Sequence, residues 1–165
     1  MLRLVLAAAL AVALVAAVTT AVDDARATRT ERLAGRELDR VGATAATLAR
    51  EESPGARRTL DLSLPADSPT AAPLAFVSLG GLPGEETIRA DTAGRDVLAF
   101  RVADGRRHVR RVAADLRVVR GGRTSDDDRQ ALVLSSGGSY AVTLRLVRSD
   151  GRRTVVVSIG SSRDG

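Results

Sequence analysis

The sequence predicts an α+β protein in which one long amino-terminal helix is followed by a small antiparallel β-sheet domain. Two observations predict this: an uncharged apolar run, Leu4–Val22, opens the chain, and the hydrophobic period later changes from helical to a period of two. We divide the chain into a transmembrane helix or uncleaved signal anchor (1–22), an amphipathic helical extension with a breaker (23–55) and an antiparallel β domain (56–165).

The opening run has the length and composition of a membrane-spanning helix. Thr19 and Thr20 are its only polar residues, and its 19 residues approach the ~20 that cross a hydrocarbon core. A signal peptide is the alternative, with Thr19 and Ala21 at positions −3 and −1 of a cleavage site after Ala21. We expect the segment to be retained, because it is longer than a usual signal core and the helical pattern continues beyond it. Otherwise the protein is a secreted or envelope binding module released after Ala21.

The charges around this run give conflicting indications of orientation. Five arginines follow it, whereas Arg3 and the amino terminus precede it, and this count favours a cytoplasmic C-terminal domain. However, Asp23 and Asp24 flank the exit, and the start resembles an export signal. We expect a single-pass cell-membrane protein whose C-terminal domain is extracytoplasmic, with a cytoplasm-facing, arginine-rich adaptor as the alternative.

The segment after the membrane run continues the helix with one narrow apolar seam. The seam residues are spaced 4, 3, 4 and 3 apart, which places them on one face: Ala34, Leu38, Val41, Ala45 and Leu48. We therefore predict one helix from about Leu2 to Glu52, ended by Ser53-Pro54-Gly55. The seam is expected to pack on the chain's own sheet, or otherwise on a partner helix in an assembly.

The C-terminal part alternates as half-buried strands do. Leu60, Leu62 and Leu64 alternate with polar residues, and "PLAFVSLGG" predicts a second strand. Asp104-Gly105 predicts a hairpin with a type I′ turn. With the polar loop "GGRTSDDDRQ", we expect six to eight short antiparallel strands and no second long helix.

The last hairpin allows a prediction of register. If Asp150-Gly151 is a two-residue loop, the numbers of paired residues add up to 301, as in the pairs Val142 with Ile159, Leu144 with Val157 and Leu146 with Val155. These six apolar residues then share one face. Turn and hydrophobic pattern thus select the same register.

We find no motif for catalysis, for a cofactor or for a metal ion. His108 is the only histidine, and its arginine neighbours disfavour a divalent ion, so we expect a surface strand residue. Asp126-Asp127-Asp128 lacks the spaced ligands of a calcium loop and is expected to be a solvated loop. The glycine pairs are not followed by helix starts, which excludes a phosphate-binding loop. We predict a non-enzymatic protein without a small-molecule substrate.

Composition excludes further classes and leaves one candidate surface. Aromatic residues make up 2% of the chain and Cys is absent, which argues against base stacking and excludes disulfides. All 25 Lys+Arg residues are Arg, and the net charge is +5. One basic set is expected to be solvated strand positions, with a docking face for an acidic partner or lipid headgroups as the alternative: Arg101, Arg106, Arg107, Arg110, Arg111, Arg117 and Arg120.

A continuous helix, half in the membrane and leading into a small sheet, resembles the layout of type IV pilins and pseudopilins. Unlike their precursors, "MLRLVL" has no prepilin processing site, and no acidic residue precedes Asp23. The stretches "GARRTLDLSLP" and "FVSLGG" and the arginine-rich hairpins also resemble a small uncharacterised haloarchaeal family encoded near pilus or secretion-type components. This resemblance implies an accessory role in a type IV pilus or secretion-like assembly, with proteins of that assembly as partners.

Overall fold

A single helix accounts for the first third of the protein. The computed structural model describes residues 2–83, 96–103, 105–120, 123–124, 131–149 and 151–160. Helix α1 runs without interruption over Leu2–Glu51, within one residue of the predicted end. Gly55 then reverses the chain with φ of 100°, a backbone conformation that suits glycine.

Nine strands of the described chain form two sheets packed on α1. A five-stranded sheet has the order β1-β8-β9-β5-β6, and a four-stranded sheet has the order β4-β3-β2-β7. The strands are β1 (Arg57–Ser63), β2 (Leu74–Leu79), β3 (Val97–Val102), β4 (Arg107–Arg111), β5 (Asp115–Arg120), β6 (Arg123–Thr124), β7 (Leu132–Leu134), β8 (Ser139–Ser149) and β9 (Arg152–Gly160). The predicted α+β class is confirmed, with two sheets where the sequence predicted one and nine described strands where it predicted six to eight.

The pairing is antiparallel with one exception. β5 lies parallel to β9, with Leu116 opposite Val155 and Val118 opposite Val157. The sequence predicted antiparallel strands throughout, so this pair is a departure. A tight turn would make two strands antiparallel, whereas the long connection between β5 and β9 allows them to be parallel. The parallel position buries Leu116 and Val118, which are 1% and 7% exposed.

The register predicted for the last hairpin is confirmed. Val142 pairs with Ile159, Leu144 with Val157, and the pairing continues to Ser149 opposite Arg152. Gly151 has φ of 77°, as a tight two-residue turn requires. Asp150 lies outside the described residues.

Two turn predictions need correction. β3 and β4 do form a hairpin, but Arg101 pairs with Arg107, and the Gly105 amide donates to the Val102 carbonyl at 3.0 Å. Gly105 lacks the positive φ that a type I′ turn demands, so the hydrogen bond that closes the turn lies one residue earlier than predicted. Asp104 lies outside the described residues.

The segment predicted as a polar loop contains a short strand. Arg123–Thr124 pairs with β5, and Asp126–Asp128 lie outside the described residues.

The core lies between α1 and the inner faces of both sheets. All five seam residues are at most 1% exposed and belong to the same cluster as Phe100 and Leu144. The seam thus packs on the chain's own sheets. At Gly42 the helix lies tightly against the β domain, since a Cβ there would lie 3.3 Å from Val112 Cγ2.

We call the end of the β domain nearer residue 22 of α1 the proximal end, and the end nearer Glu51 the distal end. At the proximal end, the Ala72 amide donates to the Arg26 carbonyl at 3.5 Å, and the Ala103 amide donates to the Pro73 carbonyl at 2.8 Å. At the other, the distal end, Arg153 donates to the Glu52 carbonyl. The two ends lie about 39 Å apart along the helix axis, from the 26 residues between Arg26 and Glu52 at 1.5 Å each.

Candidate functional site

The first half of α1 is an apolar surface that the rest of the described chain leaves uncovered. Residues 2–25 are all exposed, and Leu4 and Leu10 are 74% and 62% exposed. The described residues contain one helix long and apolar enough to cross a membrane. An apolar surface of this extent marks a membrane or protein contact, and this one is compatible with a single-pass anchor.

A hydrogen-bonded clamp joins this helix to the β domain just beyond the apolar run. Arg26 Nη2 donates to the Ser68 carbonyl at 2.8 Å and approaches Asp67 Oδ1 at 3.0 Å. One turn further, the fully buried Thr30 donates its hydroxyl to the Ala72 carbonyl at 2.9 Å. The loop before β2 is therefore fixed to α1 within about 12 Å of Val22, counting eight residues at 1.5 Å.

A polar cleft of about 570 Å³ separates α1 from the edge strand β4. His108 lines it and stacks on Phe100, with ring centroids 4.8 Å apart and planes 9° apart. Its Nε2 lies 3.2 Å from Glu31 Oε1, and Arg110 Nε lies 3.2 Å from Asp39 Oδ1. The predicted surface strand residue is thus half-buried, with its imidazole turned to the helix.

The residues that line this cleft in the described part of the chain are mostly charged. Besides those named above they are Arg32, Gly35 and Arg36, so the described lining contains no Ser, Thr or Cys. The part of the chain that the structure describes contains no group of three or more His, Cys, Asp or Glu placed to hold a metal ion. The arrangement therefore suits electrostatic contact between α1 and β4.

A family model described as a domain of unknown function, DUF7311, matches residues 1–160. The chain belongs to the DUF7311 family. The match includes the apolar half of α1 together with both sheets, so the helix is part of what defines the DUF7311 domain. No curated protein and no solved structure matches the sequence.

The DUF7311 structure divides the predicted basic set among different surfaces. Strand alternation places Arg101, Arg107 and Arg111 on the face of β3 and β4 away from α1, where Arg101 lies 5.8 Å from the Phe76 ring. Arg106 is exposed in the turn before β4, whereas Arg110 faces α1.

The remaining two members of the set belong to the other sheet. Arg117 lies on β5, where its Nη1 is 3.4 Å from Ser149 Oγ and its Nε is 3.9 Å from Asp115 Oδ2. The side chain of Arg120 lies outside the described residues. The described members therefore do not share one face.

Sequence reasoning used the arginines of the DUF7311 helix to count charges for orientation and to pair Arg32, Arg36 and Arg40 with Glu37 and Asp39; of these pairs the described chain has Arg40 with Glu37, at 2.7 Å. Arg29, Arg32 and Arg36 are exposed on the side of α1 opposite the seam. Their 3 and 4 spacing was the signal that places them together, and it is readable from the sequence alone.

Proposed function

We propose that this protein is a non-enzymatic, single-pass membrane protein that holds its β domain just outside the cell membrane. The observation that carries the proposal is the continuity of α1 over Leu2–Glu51. Its first half is exposed and apolar, and its second half supplies the seam of the domain core. One rigid element thus serves as anchor and as core, with no linker between them.

The absence of a linker argues for a role that depends on position. A flexible linker lets a domain search a volume, whereas a shared helix holds it at one height and angle. The Arg26 and Thr30 contacts reinforce that placement at the proximal end. A domain presented in this way is suited to contact with neighbouring proteins in the same membrane.

We further propose that these neighbours belong to a type IV pilus or secretion-like assembly, in which the protein is an accessory or pseudopilin-like component. The support is the layout: a helix that is half apolar and exposed, and half packed under small antiparallel sheets. In such an assembly the apolar half of α1 would lie against lipid and the helices of partner proteins.

One observation favours a second candidate, a binding module released after Ala21. The buried residues of α1 begin at Thr30, so cleavage after Ala21 would leave the core complete. The mass of the mature product in membrane and medium fractions decides between the two. An intact amino terminus in the membrane fraction supports the anchored protein, and a soluble product that begins at Val22 supports release.

The side of the membrane is tested by adding protease to whole cells. We expect residues 56–165 to be degraded from outside, with the same cells after permeabilisation as the positive control. If the domain survives in whole cells and is degraded only after permeabilisation, it faces the cytoplasm, and the extracytoplasmic role is wrong.

A further inference from the structure

Three arginines form a ridge along α1 on the side opposite the seam, directly after the apolar run, and two of them also border the cleft beside β4. Arg29, Arg32 and Arg36 are three and four residues apart, which places them on one helix face, and all three are exposed. In the described part of the chain none of them forms an ion pair, whereas Arg26 pairs with Asp23 and Asp67. We call Arg29, Arg32 and Arg36 the arginine ridge.

The ridge lies within reach of the lipid headgroups. If the hydrocarbon core ends at Val22, Arg29 is about 10 Å and Arg32 about 15 Å beyond it, at 1.5 Å per residue. The headgroups occupy roughly the first 5 to 8 Å of that distance. Helical side chains lean towards the amino terminus, which here is towards the membrane, so both guanidinium groups approach the headgroup layer.

The charge along the arginine ridge is positive. Asp24 is the one carboxylate among the described residues that line the surface beside the ridge, and it stands against three arginines. A surface with this excess attracts anions across about one Debye length, ~10 Å at moderate salt.

The ridge also borders space for a headgroup. A recess of about 550 Å³ is lined by all three arginines together with Thr28 and Leu33. Guanidinium groups bind phosphate oxygens in a bidentate manner, so neighbouring arginines around such a recess fit a phosphodiester.

We propose that the membrane-proximal part of the arginine ridge, Arg29 and Arg32, binds the anionic phosphate headgroups of the leaflet from which α1 emerges. Such contacts fix the depth and tilt of α1 and hence the height of the β domain. The inference rests on the membrane anchoring in the proposed function, and it holds for either orientation of the domain.

The test compares lipid binding by the intact, purified chain in detergent micelles. Native mass spectrometry gives apparent dissociation constants for phosphatidylglycerol and for phosphatidylcholine. We expect tighter binding of phosphatidylglycerol, and we expect R29Q/R32Q to reduce this preference by about fivefold per arginine at low salt. R29K/R32K keeps the charge but loses the bidentate geometry of the guanidinium groups, so we expect its preference to lie between those of the natural chain and R29Q/R32Q.

A matched control removes the same charge from the distal end. Arg145 and Arg148 are exposed on β8, and R145Q/R148Q is expected to leave the preference unchanged. Far-UV circular dichroism confirms that each variant is folded. Equal affinities of the natural chain for the two lipids, or an equal loss in R145Q/R148Q, would overturn the inference.

An acidic peptide distinguishes a lipid ligand of the ridge from a protein ligand. Absence of lipid preference together with tight binding of a polyglutamate peptide assigns the ridge to an acidic protein partner and overturns the lipid assignment. The lipid measurement uses the intact purified chain, so a negative result contradicts lipid binding by the ridge but not the membrane anchor. A product cleaved after Ala21 in cells would contradict the membrane anchor itself.

Discussion

Two glycines of α1, the buried Gly35 and the half-buried Gly42, have different surroundings. We expect substitutions at the two positions to change the free energy of unfolding in opposite directions. A Cβ at Gly35 would have Arg110 Nη2 at 3.9 Å as its nearest neighbour, an ordinary contact. A Cβ at Gly42 would lie 3.3 Å from Val112 Cγ2 and 3.5 Å from Leu98 Cδ1. The first glycine leaves space at the cleft, and the second permits close packing of helix on sheet.

We predict that Gly35→Ala stabilises the domain and that Gly42→Leu destabilises it. Alanine replaces the poorest ordinary helix former at an open position, which raises the free energy of unfolding by about 0.5–1 kcal/mol. Leucine at position 42 overpacks the helix–sheet contact and lowers it by about 1–3 kcal/mol. Chemical unfolding of the full chain in detergent measures both. Loss of stability in Gly35→Ala would contradict the open geometry at that site.

The clamp at the proximal end predicts a large effect for one arginine among several. Arg26→Ala removes the bonds to the Ser68 carbonyl and to Asp67, and we expect a loss of about 1–3 kcal/mol in the free energy of unfolding. The exposed part of the ion pair contributes little of this. Arg29→Ala, at an exposed position without an ion pair, is the control, with an effect below about 0.5 kcal/mol. Equal effects would show that the clamp does not stabilise the domain.

At the scale of elements, the seam of α1 is the main contact between helix and sheets. Leu38→Ala removes a side chain that is 0% exposed, so the lost burial and the cavity together cost about 2–5 kcal/mol. Leu33→Ala, a half-buried residue on the ridge side of the same helix, is expected to cost much less. Unfolding followed by far-UV circular dichroism compares them. A small effect at Leu38 would mean that the sheets are stable without the helix.

Elements fixed by neighbouring residues were predictable, and elements fixed by distant ones were not. The β8–β9 register follows from Gly151 and the alternation of apolar residues, which agree within one short stretch. The seam follows from helical spacing in the same way. The parallel β5–β9 pair joins Leu116 to Val155 across many residues, and no local turn or period specifies it.

The same distinction applies to the candidate sites. The sequence identifies His108 as the only histidine, but its stacking on Phe100 and its approach to Glu31 depend on how the β3–β4 hairpin docks on α1. The basic set looks like one cluster in the sequence because its members are close in number. Strand alternation and the placing of Arg117 in the other sheet separate them.

At the scale of the whole molecule, α1 has two halves that need different solvents. Residues 2–25 are all exposed, so the β domain gains no core from them, whereas the buried residues of α1 begin at Thr30. Water contact with Leu4, Leu10 and Val18, each at least 60% exposed, is unfavourable by about 25 cal/mol for each Å² of apolar surface. Insertion into a membrane, as proposed, would remove that contact while the domain stays in water.

We therefore predict that deletion of residues 1–22 releases a folded domain into buffer, while the full chain stays in the membrane fraction. The shortened helix keeps Thr30 and the whole seam, so the core is complete and thermal unfolding remains cooperative. Fractionation and circular dichroism of the two proteins measure this. Deletion of residues 1–40, which also removes Ala34 and Leu38 from the core, is the matched control and is expected to unfold or aggregate. If the shorter deletion behaves like the longer one, the apolar half of α1 supports the fold directly, and its separate role as an anchor is wrong.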